Sequence, residues 1–544
     1  MKNAKIILVS AFSLILTIML IFFFTEKLDN KAFIMDSHTV IMFVWLVAYM
    51  FLFIGGAYFL LRKIRVIDSS RSLKIIFISL VSIFILKLII SSVSKGFDID
   101  ISCFTAWAEG SGRNLFGFYT PQEWCDYPPL YISILSFCGK LITFGVPKVI
   151  AIRLPALLAE IGISIIIYRI ASKNFNNIAA IFLSIAFAMN PVVILDTSLW
   201  GQMDAVLAFF IVTAIYLSTG EFTFKGKLLN SKQPFPYHLL LSSMFFASAI
   251  LIKPQALFFL PILIFALIKN KKVLLFILSG LTGIATIFLI IWPFDKVKFE
   301  YSTSKIIEII NGINPAFKDV TAFLSNLPFF KDFFWIGDLF LKTAGGYTGI
   351  TINAANTYFP FGKNWKTDSE RILGLDFATF GLILVGIVLI LATLFYFKSN
   401  HKSIPWFTAI FLNAGIFMAA TRMHERYMFT IIALLIIVFI YSKDILTPIL
   451  GALFTLTIYI NVDYVFTRQL VTSILYAPKA GNTWIEDSSG TIIFDSLMNL
   501  LGLVVLLALI MGLVFNNYLP IMKPQIVKPL TRTDFKKKKI NKKY

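Results

Sequence analysis

The chain has 544 residues, 58% of them hydrophobic and 14% charged, with a formal net charge of +20 and a mean hydropathy of +0.82. Values this apolar exclude a soluble globular enzyme and a disordered chain, and leave a multi-pass membrane protein. The basic excess does not indicate a nucleic-acid partner, because Lys and Arg fall in short loops between apolar runs rather than on one amphipathic face.

The N-terminus, MKNAK, leads into an apolar run to Phe24 that is long enough to span and is followed by no small-residue cleavage site, so an uncleaved anchor is expected near residues 5–25. Further apolar stretches lie near 39–61, 75–93, 149–170, 177–195 and 203–218, then 238–253, 255–268 and 273–291. A last group covers 377–397, 404–420, 427–441, 445–461 and 494–515. Together they predict an all-α polytopic membrane protein with about 14 transmembrane helices.

Arg62, Lys63, Arg65, Arg71 and Lys74 follow the second span and should be cytoplasmic, which also places the N-terminus there. Residues 94–148 are then external, provided that Pro128 to Phe144 lies along the outer surface as a juxtamembrane helix instead of spanning. The alternative would carry Lys173, Lys225, Lys227, Lys232, Lys269, Lys271 and Lys272 outside, against the charge rule. With the surface helix, the tail holding Lys536 to Lys539, Lys542 and Lys543 is cytoplasmic, a solvated segment beside anionic headgroups.

The expected organisation is therefore two N-terminal helices in 1–70, a core module in 71–292 with a first external loop at 94–148, and a long external loop at 293–376. C-terminal helices follow in 377–515, with a smaller external loop at 462–493, and then a basic cytoplasmic tail in 516–544.

Once this topology is drawn, the unusual polar residues collect at the outer ends of the spans. They are Asp98, Asp100 and Asp126 in the first loop, Asp196, Gln202 and Asp204 around TSLWGQMD, Lys253 and Gln255 in IKPQA, and His424, Glu425 and Arg426 in TRMHERY. An ionisable group costs roughly 2.5 to 3.5 kcal/mol at the centre of a membrane helix and less near its ends, so pairing or function must offset the cost. Acids with nearby cations suit transfer from a phosphate leaving group: a carboxylate takes a proton from an acceptor hydroxyl while Lys and Arg stabilise the departing phosphate. Such chemistry requires no metal and no other cofactor.

Plainer roles compete for single residues. Lys253, before a proline, suits a turn anchor that snorkels to headgroups, and Trp200, Gly201 and Gln202 suit a helix end at the aromatic belt. Arg153 and Glu160, about two turns apart in one span, are expected to pair with other helices. Cys103, Cys125 and Cys138 are too few for a disulfide scaffold and are expected as free thiols, although the first two share a loop.

In chain order, GFDIDISCFTAWA, CDYPPLY, NPVVILDTSLWGQMDA, LIKPQALFFLP and MHERYMF resemble the GT-C glycosyltransferases that use polyprenyl-phosphate sugars. The likeness is to bacterial mannosyltransferase-like proteins related to GPI mannosyltransferases, and more distantly to dolichyl-phosphate-glucose glucosyltransferases. It covers roughly residues 75 to 440, and five ordered motifs on one face make the signal specific. The resemblance implies a GT-C fold with juxtamembrane helices in its external loops, a polyprenyl-phosphate sugar as donor, a lipid or glycan acceptor, and membrane lipids as surroundings, with no nucleic acid.

The same resemblance implies that Asp100, seven residues before Trp107, is the catalytic base, with Asp98 as the fallback. It places Asp126 near the sugar and His424 with Glu425 along the donor site. Lys253 and Arg426 are assigned to the donor phosphate by charge, and Gln202, Asp204 and Gln255 to substrate hydroxyls. Asn353 and Asn356, in TINAANTYFPFGKNW with Trp365, resemble the family's loop near the acceptor. The chain departs from the family in two extra spans before the first loop.

The activity expected is inverting transfer of a hexose, mannose or glucose, to an envelope acceptor on the external face of the cell membrane. A transporter or flippase of a lipid-linked sugar is the competing class, and it would place ionisable groups at the midplane and on both faces of its path.

Overall fold

The computed structural model describes residues 37–62, 67–120, 125–221, 236–294, 304–314, 317–475 and 489–515. The apolar run near 5–25, Lys63, Arg65, Lys225, Lys227, Lys232 and the basic tail lie outside these residues.

Helices α1 (Ser37–Leu60) and α2 (Ser69–Val93) are followed by two helices inside the first loop, α3 (Asp98–Arg113) and α4 (Pro129–Thr143). The first half continues through α5 (Lys148–Asn174), α6 (Asn177–Ala188), α7 (Pro191–Trp200), α8 (Asp204–Ser218) and α9 (Tyr237–Ile250) to α10 (Leu260–Asn270) and α11 (Val273–Ile291). The long loop contains α12 (Lys305–Ile313), α13 (Phe317–Ser325) and α14 (Pro328–Gly345), and an antiparallel pair of two-residue strands, β1 (Arg371–Ile372) and β2 (Leu375–Asp376). Then come α15 (Phe377–Lys398), α16 (Ile404–Ala419), α17 (Ile431–Ser442), α18 (Leu446–Leu475) and α19 (Gly490–Phe515).

The all-α polytopic class is as expected. Among the described residues, seven helices are long and apolar enough to cross a membrane, or eight if α6 and α7, bent by 40°, form one span. The expected figure of about 14 spans includes shorter apolar helices such as α8, α9, α16 and α17 and the run near 5–25.

Two expected boundaries move. The stretch 177–195 is broken, because the Asn190 side chain accepts from the Val192 amide at 2.9 Å and Pro191 takes the first helical position, restarting the helix. The stretch 445–461 does not end at 461: α18 runs on to Leu475, so the expected loop from 462 starts inside a helix. There Asp463 accepts from the Tyr459 hydroxyl one turn earlier at 3.5 Å.

In α4 one face packs on α3 and the other leaves Phe137 and Phe144 exposed. The two helices cross closely at glycines, where a Cβ on Gly139 would lie 1.9 Å from the Ala108 carbonyl oxygen. Deeper in the bundle, Lys87 and Glu160 form a buried ion pair, and Glu160 also accepts from the Thr197 hydroxyl. The pairing expected for Glu160 is thus made with α2 and α7. All three cysteines are free.

Candidate active site

Residues Ile194–Trp200 of α7 form a π-helical turn whose exit is tight: the Asp196 carbonyl accepts from both the Gly201 amide, at 3.0 Å, and the Gln202 amide, at 2.9 Å. Gly201 adopts φ +96°, a left-handed conformation that a side chain would strain. Leaving the helix this way brings Trp200 and Gln202 to Asp100 in the first turn of α3. The Trp200 Nε1–H donates to Asp100 Oδ2 at 2.6 Å, and Gln202 Nε2 donates to the same oxygen at 2.5 Å. The ring of Phe97 stacks on Trp200 at 4.3 Å. The N-terminal turn of α3 also favours the negative charge of Asp100.

The cations are held in a set of pairs. Lys253 Nζ donates to Asp204 Oδ1 at 2.9 Å, Arg426 Nε lies 3.4 Å from Asp204 Oδ2, and Arg426 Nη1 bonds Glu425. Lys253 is extended before Pro254, which opens a 3₁₀ turn over Pro254–Phe259. It is only 8% exposed, so it does not snorkel. Its ammonium sits 5.0 Å from the Tyr427 ring centroid, and the Arg426 guanidinium 5.3 Å from that of Trp200.

Between these groups lies a cavity of about 410 Å³, lined by Asp100, Asp126, Lys253, Gln255, His424 and Arg426. Six of the expected site residues thus share one space. Gln202, Asp204 and Glu425 reach it through their bonds to Asp100, Lys253 and Arg426. Asp98 is exposed at the start of α3 and does not line the cavity.

Asn353 and Asn356 lie behind the cavity wall. Asn353 Oδ1 accepts from Trp365 Nε1 at 3.0 Å, while its carbonyl accepts from Asn461 Nδ2 of α18 at 2.7 Å. Asn356 Oδ1 accepts from the Tyr358 amide at 3.1 Å. Asn499 of α19 donates to the Ala355 carbonyl at 2.9 Å, and the Ile352 amide donates to the Met423 carbonyl at 3.0 Å. These asparagines therefore pin the loop that pairs with the His424 backbone.

Burial acts on four ionisable groups outside the spans. It pushes the Asp126 carboxyl up, against the opposing pull of Lys253. Glu425 is raised by burial, with Arg426 opposing. His424 is driven well below its ordinary range by burial and then by Arg426 and Lys253, so the imidazole is neutral. For Arg426, burial works against the charge, but Glu425, Asp100 and Asp204 outweigh it and the group stays charged.

Sequence reasoning missed several lining residues. Tyr127 and Trp107 stood inside quoted motifs without a role, and Tyr347, whose ring meets His424 edge-on at 4.9 Å, had no signal at all. Tyr347 and Thr343 come from the end of α14, and the Thr343 hydroxyl donates to the Asp126 carbonyl at 2.7 Å. Among the described residues, no group of three or more His, Cys, Asp or Glu side chains is arranged to hold a metal ion.

An all-α polytopic bundle with helices inside its long loops is the architecture that the GT-C resemblance implies. Residues 126–294 match the family described as dolichyl-phosphate-mannose-protein mannosyltransferase. That stretch runs from Asp126 through Lys253 and Gln255, and over it the resemblance read from the sequence is borne out. No curated protein matches the chain. Among solved structures, the archaeal oligosaccharyltransferase AglB from Archaeoglobus fulgidus, in complex with an inhibitory peptide and a dolichol-phosphate, is similar at 13% identity with a TM-score of 0.36. The match covers 78% of this chain and 55% of that one, so the chain spans about half the length of that structure.

Proposed function

We propose that this chain is a glycosyltransferase that moves a hexose, mannose or glucose, from a polyprenyl-phosphate sugar to an envelope acceptor on the external face of the membrane, in one inverting displacement with Asp100 as the base. The observation that carries the reading is that Asp100, Lys253 and Arg426 line one cavity. Two neutral donors on Asp100 Oδ2 leave its other oxygen for an acceptor hydroxyl. The cations stand where negative charge would grow on the leaving phosphate. Their pairing with Asp204 and Glu425 holds them in position before the donor arrives. The match over residues 126–294 to a family named for a dolichyl-phosphate-mannose donor supports a lipid-linked sugar.

The acid–base roles divide naturally. Asp100 takes the acceptor's proton, neutral His424 offers a hydrogen bond to the donor, and Asp126 with Gln255 contacts sugar or acceptor hydroxyls. The test is to incubate the purified protein with labelled polyprenyl-phosphate sugars and membrane lipids. Sugar transfer by the wild type and none by Asp100→Asn is the expected result. Sidedness is tested separately by thiol labelling of a single cysteine near Lys173, which should react only from the cytoplasmic side.

A further inference from the structure

Arg153 is fully buried in α5, and its guanidinium is devoted to backbone carbonyls. Nη1 donates to the carbonyls of Ser91, at 2.5 Å, and Ser94, at 3.0 Å, and Nη2 donates to that of Leu199 at 2.7 Å. Ser91 and Ser94 belong to the end of α2, and Leu199 to the last turn of α7. Helix ends leave carbonyls without intrahelical donors, and a planar group with five N–H donors can serve several at once.

The two chain segments joined here also touch directly. The Ser94 hydroxyl donates to the Leu199 carbonyl at 2.7 Å, and the Phe97 amide donates to the Trp200 carbonyl at 3.0 Å. Glycines with positive φ flank the guanidinium on both sides. A Cβ on Gly96 (φ +84°) would lie 2.7 Å from both Arg153 Nη2 and the Trp200 carbonyl oxygen. A Cβ on Gly201 (φ +96°) would lie 2.5 Å from Ile101 Cδ1 and 3.1 Å from Arg153 Nε.

We infer that Arg153 is a positioning residue for Asp100: it fastens the chain entering α3, which carries Asp100, to the chain leaving α7, which carries Trp200 and Gln202, and so sets the two hydrogen bonds on Asp100 Oδ2. The inference rests on the reading of Asp100 as the base. Removing the guanidinium takes a donor from the carbonyls of Ser91 and Ser94, leaves that of Leu199 with the Ser94 hydroxyl alone, and loosens the join between the two segments. Misplacement of a reacting group by about 1 Å costs on the order of 10²-fold in rate. A lysine keeps the charge and three donors but lacks the planar fork, so it restores part of the contact.

The experiment compares Arg153→Met, Arg153→Lys and Gly201→Ala in the full-length protein. Turnover and donor KM are measured beside the rate at which a thiol reagent labels Cys103, with Cys125 and Cys138 replaced by serine. Cys103 lines the cavity one turn along α3 from Asp100, so its labelling reports the position of that helix without any assay of activity. Arg153→Met is expected to lose on the order of 10²-fold in turnover, to change donor KM little, and to change the Cys103 labelling rate several-fold. Arg153→Lys should recover part of both.

If Arg153→Met does not fold, Gly201→Ala carries the same expectation, because its Cβ displaces Ile101 and the guanidinium. Unchanged turnover with unchanged Cys103 labelling overturns the inference. So does an equal loss of turnover and donor affinity, which would mean general loosening of the bundle. Wild-type turnover in Asp100→Asn would instead overturn the base reading, and Cys103 labelling in the Arg153 variants would still report whether α3 had moved.

Discussion

The two walls of the cavity are held by different forces. On the carboxylate wall, Asp100 receives hydrogen bonds from neutral groups, Trp200 and Gln202, and its backbone is registered against α7 by the Phe97 amide and by Arg153. On the cation wall, Lys253 and Arg426 are fixed by the charges of Asp204 and Glu425. Neutral donors orient an acid without cancelling its charge, whereas acidic partners orient cations by offsetting theirs. On the proposed function, a donor phosphate would meet cations already paired, and those pairs would have to loosen or one of the acids take up a proton. Burial, which raises Glu425 against the pull of Arg426, favours the second route. The two walls should therefore fail in different ways when broken.

The largest effect is expected on the carboxylate wall. Asp100→Asn keeps an oxygen for the Trp200 and Gln202 donors but cannot take a proton, so turnover should fall by ~10²- to 10⁴-fold with melting temperature and donor binding retained. Wild-type turnover in this variant would remove the contrast between the walls altogether. On the cation wall, Arg426→Gln should lose about 2 to 4 kcal/mol of transition-state stabilisation, more in rate than in donor binding. Arg426→Lys should recover part of it, since a point charge remains. Turnover and donor affinity measured for both variants decide the matter, and an unchanged rate in Arg426→Gln would reduce MHERY to a structural pairing of helix ends.

Much of this arrangement was legible in the sequence because a membrane chain sorts its residues strongly. Outside the two external loops, whose helices α3, α12, α13 and α14 no apolar run announces, the helices lie close to the expected runs, apart from the break at Asn190 and the extension to Leu475. Asp100, Asp126, Lys253, Gln255, His424 and Arg426 stood out as polar residues at the ends of such runs, and all six line the cavity. What local pattern could not show was partnership. Nothing near Arg153 marks it as a cap for carbonyls of α2 and α7, because the contacts join residues 46 to 62 positions apart. Asn353 and Asn356 read as part of a loop near the acceptor, and their hydrogen bonds to α18 and to the loop's own backbone emerge only from packing.

A smaller effect separates Asp126 from Asp100 by its dependence on pH. Burial raises the Asp126 carboxyl above its ordinary value of 3.8, so the folded protein holds that proton more tightly than the unfolded chain. The stability it contributes is fully present below the unfolded value and is lost as pH rises through the higher folded one. Asp126→Asn removes the titration. Its melting temperature should exceed that of the wild type at neutral pH, and the gain should shrink towards zero as pH falls below 3.8. Melting curves across that range check the sign, and a gain that grows on acidification would mean that Asp126 is held ionised by Lys253.

The smallest effect is expected at Asp98, and it tests how sharply the carboxylate wall is defined. Asp98 and Asp100 are two residues apart in the first turn of one helix, so their side chains project about 200° apart around its axis. Asp100 faces the cavity, and Asp98 is exposed. Both carboxylates complement the helix N-terminus, an effect worth roughly 0.3 to 1 kcal/mol for a surface group. Asp98→Asn should therefore cost a small amount of stability and leave turnover within about 0.5 kcal/mol of the wild type, as surface substitutions do. Turnover and melting of Asp98→Asn beside Asp100→Asn make the comparison direct, since the two changes alter charge equally and differ only in the face they occupy. Comparable losses of turnover in both would mean that negative charge at the start of α3, and not proton transfer at one carboxylate, is what the reaction needs.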